Sequence, residues 1–286
     1  MEQKAQATTR RFHGSKVVLY IVLTLLAAYT LAPLYFLLVN SFKSQSEIVR
    51  NPLSLPSLWD FSYLSNAAEK INFFRSLGIT FLITLASLIL IVVVSSLAAW
   101  IMVRNKTKTS GVIFLFFVSA MLIPFQSIMY PLLNFMDMLG LKNMGGLVIM
   151  YGGFGLSMSV FLYHGFIKSV PQGIEEAAVI DGANILQVFF RIVFPLLRST
   201  TVTVIILNGM WIWNDYLLPF LVIGNSSGVK TLTLELYFAK ILSGQYGSPW
   251  ELIFPAVLIS ILPIVVVFLS LQKYFIKGIS EGAVKT

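Results

Sequence analysis

The chain has 286 residues, of which 57% are apolar and only 11% charged, with a net charge of +8. A soluble domain carries about a quarter charged residues, so a water-soluble core of this length is excluded. Cysteine is absent, which removes disulfides, thiolate metal sites and cysteine nucleophiles.

The apolar residues come in blocks rather than in helical or strand periods. A basic start (Lys4, Arg10, Arg11, Lys16) leads into Val17–Phe42. That block is too long for a signal peptide and reads as a retained first span. Five more blocks follow, at Ser76–Val103, Gly111–Tyr130, Gly145–Ile167, Ser199–Ile223 and Leu252–Phe275. Each approaches the roughly 20 helical residues that cross a bilayer core. The expectation is an all-α polytopic membrane protein with six transmembrane helices.

Lysine and arginine set the orientation. Arg104, Lys106 and Lys108 follow the second block, Lys168, Arg191 and Arg198 the fourth, and Lys273, Lys277 and Lys285 the sixth. Basic residues are sparser in the alternate, longer connections. Both termini are therefore expected on the cytoplasmic side. This distribution accounts for the positive charge without nucleic acid, since no basic stripe interleaves with aromatics.

Two outer connections are long, Lys43–Arg75 and the Gly- and Ser-rich Gly224–Glu251. Pro33, Pro124, Pro131, Pro219, Pro255, Pro263 and the run Tyr151-Gly152-Gly153-Phe154-Gly155 are expected to interrupt spans. Such breaks survive where protein or a water-filled cavity satisfies the backbone, which favours a translocation pathway. Asp215 lies near the outer part of span five. An intramembrane carboxylate is a functional candidate by default, and Asn214 beside it can share hydrogen bonds.

The segment Ser169–Pro195 between spans four and five reads as two short amphipathic helices. Pro171 suits a first helical turn. Glu175 and Glu176 follow where the helix dipole favours negative charge. Ile174, Ala177, Ala178 and Asp181 share one face. Gly182 ends the helix in a left-handed conformation. Ile185, Val188, Phe189 and Ile192 repeat the spacing, and Pro195 marks a boundary before span five. Small alanines on an exposed helix suit close approach to a partner. A helix pair lying on lipid headgroups has the same pattern.

Enzyme signatures are missing. Gly228-Val229-Lys230-Thr231 lacks the adjacent Gly-Lys of a phosphate-cradling loop. His13 and His164 lack metal-ligand spacing, and His164 reads as a snorkelling interfacial residue. Glu175 and Glu176 diverge on a helix and make no acid–base pair. The chain is thus expected to be no enzyme, with no cofactor or metal. An ion-gradient transporter would show several buried charges and internal repeats; Asp215 is the one candidate.

Glu176-Ala177-Ala178-x3-Gly182-x9-Ile192-x-Phe194-Pro195 resembles the EAA motif of binding-protein-dependent ABC importer permeases. Phe194 stands where the usual motif has Leu. Trp213-Asn214-Asp215-Tyr216-Leu217-Leu218-Pro219 and the C-terminal Gln272–Lys285 resemble the carbohydrate-uptake branch. Within it, they look most like the second permease subunit of maltose-type and multiple-sugar importers.

The resemblance implies the type I importer permease fold in a bacterial or archaeal cell membrane. It implies a second, different permease, two ATPase subunits that bind the ATP, and an extracellular or periplasmic sugar-binding protein. The chain would divide into 1–72, a permease core 73–275 with coupling helices at 171–195, and a cytoplasmic tail 276–286. ATPase coupling would fall to Glu176, Ala177, Ala178, Asp181, Gly182, Ile192 and Pro195. Trp213, Asn214, Asp215 and Pro219 would serve gating or helix packing. Gly244, Gln245, Tyr246 and Gly247 would meet the binding protein, and Gly282, Ala283, Val284 and Lys285 the ATPases. The solute would be a sugar or a related compound such as a glycerol phosphate.

Overall fold

The computed structural model describes residues 13–224, 228–243 and 248–283. Among these the regular structure is helical throughout. In chain order it comprises α1 (His13–Asn40), α2 (Gln45–Arg50), α3 (Ser62–Lys70), α4 (Phe73–Arg104), α5 (Lys108–Ala120), α6 (Phe125–Met138) and α7 (Met144–Ile167). Then come α8 (Gly173–Ile180), α9 (Ile185–Leu196), α10 (Arg198–Asn214), α11 (Leu217–Val222), α12 (Leu232–Ser243) and α13 (Trp250–Ala283).

Four helices are long and apolar enough to cross a membrane: Lys16–Asn40 within α1, α4, α7, and Trp250–Ser270 within α13. The pairs α5 with α6 and α9 with α10 also qualify, but they bend by 106° and 76° at their breaks. The third apolar block is therefore a sharply bent pair rather than one straight helix. Pro124 is extended (ψ 140) and starts α6.

Most of the expected interruptions do not break a helix. α1 continues through Pro33, α6 through Pro131, and α13 through Pro255 and Pro263. The glycine run lies inside an unbroken α7, and its glycines bring helices together. A Cβ on Gly155 would stand 2.4 Å from Ile91 Cδ1 and 2.7 Å from Asn208 Oδ1, and one on Gly152 would stand 2.5 Å from Leu90 Cδ2. Small residues let membrane helices approach closely, and α4 accordingly packs most extensively on α7. Serines in the same seam need no remote partner: Ser95 and Ser96 donate to the carbonyls of Ile91 (2.5 Å) and Val92 (2.6 Å). Asn208 of α10 donates to Ser159 of α7 at 3.0 Å.

The chain divides into two compact units. One contains the chain up to Ala67 together with Pro249–Leu258. The connection after α1 is built rather than a plain linker. Lys43, fully buried, donates from Nζ to the carbonyls of Asn51 (2.9 Å), Pro52 (3.4 Å) and Ser54 (2.6 Å). Asn40 donates to Pro52 as well (2.9 Å), and Glu47 accepts from the Ser57 amide (2.8 Å). Phe42 packs edge-on against Trp59 and Phe61. Gln45 and Glu251 bond the start of α13 to α2.

The second unit holds Ala68–Ser248 and the chain from Ile259 onward. Here the stretch after Gly224 is not a loop throughout, because α12 occupies Leu232–Ser243. Leu232 and Leu234 are buried, and the Leu232 amide donates to Thr80 of α4 at 2.8 Å.

Candidate functional site

α8 starts with Glu175 and Glu176 in its first turn, where carboxylates oppose the positive helix end. It stops at Gly182, whose φ of +86° suits a residue without Cβ. The Gly182 amide donates to Val179 O and the Ala183 amide to Ala178 O, both at 3.0 Å. That reciprocal pair closes the helix end and turns the chain. Asn184 then caps α9: its Oδ1 accepts from the Gln187 amide (2.9 Å), and Gln187 Oε1 accepts from the Asn184 amide (2.8 Å). The two helices and the glycine turn expected for this segment are thus present.

Two details differ from the sequence reading. α9 contains a π-helical stretch at Val188–Val193, closed by the Phe194 amide on Phe189 O. The extra residue per turn places Val188, Phe189 and Val193 all in the core. Pro195 lies within the last turn of α9, and the bend into α10 falls at Leu197 (ψ 6).

The buried stripe of α8 is also rotated. Glu175 and Ala178 face inward, whereas Ile174, Glu176, Ala177 and Asp181 are exposed. The cause is Glu175. Its Oε2 accepts from Trp100 Nε1 at 2.9 Å, and its Oε1 accepts from Arg104 Nε at 2.9 Å and Nη2 at 2.5 Å. Arg104 Nη2 also donates to Val170 O at 3.1 Å, beside the start of α8. The Trp100 ring packs on Phe189 of α9 at 5.2 Å. One carboxylate therefore ties α8 to the end of α4, and one indole ties α4 to α9. Charge-assisted bonds of this kind are short and directional.

With Glu175 drawn inward, the adjacent Glu176 points out, as expected for neighbouring helical positions. Around it stand Ala177, Val179, Ile180, Ile185 and Leu186, all exposed; Ile180 is 85% exposed. A hollow of about 610 Å³ opens among Trp100, Glu176, Val179, Ile180, Ile185 and Val188. An apolar rim with one carboxylate, held on a fixed base, is the form of a docking surface.

Neither Glu175, Trp100 nor Arg104 stood among the coupling residues read from the sequence. Arg104 counted only as an orienting charge. The available signal was a Trp and an Arg four residues apart at the end of a span, on one helix face.

The carboxylate of Asp215 sits at a helix break. Asp215 is extended (ψ 130) and ends α10. Its Oδ1 accepts from the Leu217 amide (2.9 Å), capping α11, and its Oδ2 accepts from Tyr151 Oη of α7 (3.0 Å). Its carbonyl accepts from Thr233 Oγ1 of α12 (2.7 Å). One residue thus joins four helices. Trp213 and Pro219 are buried beside it. Asn214 does not join this network; its side chain donates back to Met210 O at 2.7 Å.

His164 is a correction. It is buried and stacks on Phe114 at 3.7 Å between ring centroids, so it does not snorkel. Gly282 and Ala283 fall in the last turn of α13. Gly244, Gln245, Tyr246, Gly247, Val284 and Lys285 lie outside the described residues. Among the described residues no cluster of His, Asp or Glu has the grouping of a metal site.

Residues 91–281 match the family described as the inner membrane component of binding-protein-dependent transport systems. The chain belongs to that family. It is 40% identical over 276 residues to the probable starch degradation products transport system permease protein AmyC of Thermoanaerobacterium thermosulfurigenes, covering 96% of this chain and 99% of AmyC. It is 35% identical over 272 residues to the multiple sugar-binding transport system permease protein MsmG of Streptococcus mutans, covering 93% and 96%. Its fold matches a chain in the crystal structure of a bacterial ABC transporter involved in import of the acidic polysaccharide alginate. The TM-score there is 0.77 at 22% identity, over 96% of this chain and 100% of that one. The protein is thus a multi-pass membrane permease of an ABC importer, working as part of a larger transporter.

Proposed function

We propose that this permease forms half of a sugar pathway and that α8–α9 receives the motion of a separate ATPase subunit. The observation that carries the reading is the anchoring of Glu175 to Arg104 and Trp100. It makes α8, α9 and the end of α4 one mechanical body while leaving Glu176, Ala177, Asp181 and the apolar rim free. A push on that rim reaches α4 without first being absorbed by a hinge. α4 packs along α7, so displacement of its end rocks the helix pair that carries Tyr151 and, through it, Asp215.

In this reading the sequence spans the membrane six times with both termini cytoplasmic. The chain binds no cofactor, and partner subunits bind the ATP. Gly182, Ile192 and Pro195 shape the docking segment rather than touch the nucleotide. Asp215, with Trp213 and Pro219 around it, holds the helix break at the far end of the pathway. The partners are a second, different permease, two ATPase subunits and an external sugar-binding protein that meets the region of Gly244–Gly247. The tail from Gly282 to Lys285 is a second ATPase contact. Both relatives named above are permeases whose names specify carbohydrate transport, which supports a sugar as the solute.

The test is reconstitution with the second permease, ATPase and binding protein in vesicles. ATP-dependent sugar uptake is expected, and Gly182→Pro abolishes it. Uptake that persists without ATP sinks the reading. Glu176→Lys is expected to weaken co-purification of the ATPase, and unchanged recovery removes Glu176 from the docking face.

A further inference from the structure

Past Lys43 and α2 the chain turns back along the helix it has just left. Tyr35 Oη donates to Leu53 O at 2.8 Å, and Asn40 Nδ2 donates to Pro52 O at 2.9 Å. Tyr35 stands five residues, about 7.5 Å, before the end of α1. Leu53 therefore lies beside the apolar span rather than beyond it.

Two properties of this return are opposite to those of a loop in water. The first concerns the backbone. Four successive carbonyls all accept bonds from side chains of the protein: Asn51 O from Lys43 Nζ (2.9 Å), Pro52 O from Asn40, Leu53 O from Tyr35, and Ser54 O from Lys43 Nζ (2.6 Å). Pro52 and Pro56 have no amide hydrogen to satisfy. Water meets such carbonyls without help, whereas hydrocarbon leaves each one to the protein.

The second concerns the side chains. Leu53, Leu55, Leu58, Trp59 and Phe61 are 49% to 74% exposed, and no charged residue occurs between Arg50 and Asp60. At Leu53 this apolar surface meets the α1 face that exposes Leu31, Leu34, Tyr35 and Leu38. Leu53 also lines a hollow of about 630 Å³ together with Pro33, Phe36 and Leu37 of α1 and Ile253 and Phe254 of α13. Trp59 and Phe61 pack edge-on against Phe42, two residues past α1. That is the level where a span meets the headgroups and aromatic rings gather.

We propose that residues 53–61 rest in the bilayer interface beside α1, with Leu53 and Leu55 among the acyl chains and Trp59 and Phe61 at the headgroup level. The partner is the phospholipid bilayer itself. A protein partner can bring donors to bare carbonyls; hydrocarbon requires that the segment satisfy them beforehand. Lys43, fully buried beneath the segment, supplies two of the four bonds and holds the apolar face outward.

The chain has no cysteine, so Leu55→Cys, Leu58→Cys and Asn66→Cys each take a single nitroxide label. Each variant is assembled with cysteine-free partner subunits and placed in vesicles of phosphatidylethanolamine and phosphatidylglycerol. Relaxation of the label by oxygen, which collects in hydrocarbon, is compared with relaxation by a water-soluble nickel chelate. Oxygen is expected to dominate at 55 and 58, and nickel at 66, which is exposed on α3. Nickel dominance at 55 and 58 puts the segment in water and overturns the proposal. A label reached by neither reagent puts it under another protein and overturns the proposal as well. A label-free measurement guards against distortion by the nitroxide. Phospholipid brominated on the acyl chain near the headgroup is expected to quench the part of the emission that Trp59→Phe removes; unquenched Trp59 emission also overturns the proposal.

Discussion

Two buried charges outside the spans solve the same problem in opposite ways. Glu175 is met by an arginine and an indole that lie 71 and 75 residues away in the chain. Lys43 is met by backbone carbonyls only 8 to 11 residues away. A buried charge must be paired or hydrogen-bonded wherever it sits. What differs is the range of the answer. The remote partners of Glu175 lock separate helices into one body, whereas the local partners of Lys43 fold a single connection onto itself. The first arrangement suits transmission of force, and the second suits a surface of fixed shape.

The largest effect expected from breaking this contrast is at Glu175. Replacing it with Ala strands the Arg104 charge and the Trp100 donor, and removing one partner of a buried pair costs about 3 kcal/mol. Thermal unfolding of the purified transporter checks the stability loss. ATP turnover that continues without sugar uptake checks the coupling. Full uptake by Glu175→Ala would detach the anchor from transmission.

Next is Lys43→Met. It removes three hydrogen bonds, although Pro52 O keeps Asn40 and Asn51 O keeps Ser54 as donors, for a loss of about 2 kcal/mol. The damage should be local: faster proteolysis between residues 43 and 60, with ATPase co-purification unchanged. A loss of ATPase binding would show that the two regions are not independent.

Gly182→Ala comes third. Nothing stands within 4 Å of the added methyl, so the cost is only that of a left-handed backbone, about 1 kcal/mol. Uptake should fall while the ATPase still binds, in contrast with Glu176→Lys.

The smallest effect is with pH. Burial lowers the Lys43 ammonium below its usual value, and Glu47 opposes this in part. Between the lowered value and 10.5 the unfolded chain holds a proton that the folded one does not. Stability of the connection after α1 therefore rises as pH rises through that window. Hydrogen-exchange protection across residues 43–59, taken relative to the base-catalysed rate of unstructured amides at each pH, should rise accordingly, and Lys43→Met should remove the trend.

The legibility of these features follows the same division by range. Gly182, the paired helices around it and the apolar blocks were readable because each depends on neighbours a few residues away. The inward turn of Glu175 was not readable, since helical spacing alone offered Ile174, Ala177, Ala178 and Asp181 as one face. A remote arginine and tryptophan chose a different one. Gly152 and Gly155 read as breaks because their helix neighbours, Leu90, Ile91 and Asn208, are distant in sequence. Asp215 was visible as a misplaced carboxylate, but its bond to Tyr151 was not, and the adjacent Asn214 turns back to Met210 instead of sharing its hydrogen bonds.

Composition and span length by themselves determined that this chain lives in a membrane as helices, because hydrocarbon forces every backbone group to find its partner within the same segment. The local motif by itself determined where the chain turns between α8 and α9. Tertiary structure alone decided which of two adjacent glutamates is an anchor and which stays exposed. The physical reason is that a helix exposes both to the same choice, and only an opposite charge fixed on another helix breaks the tie.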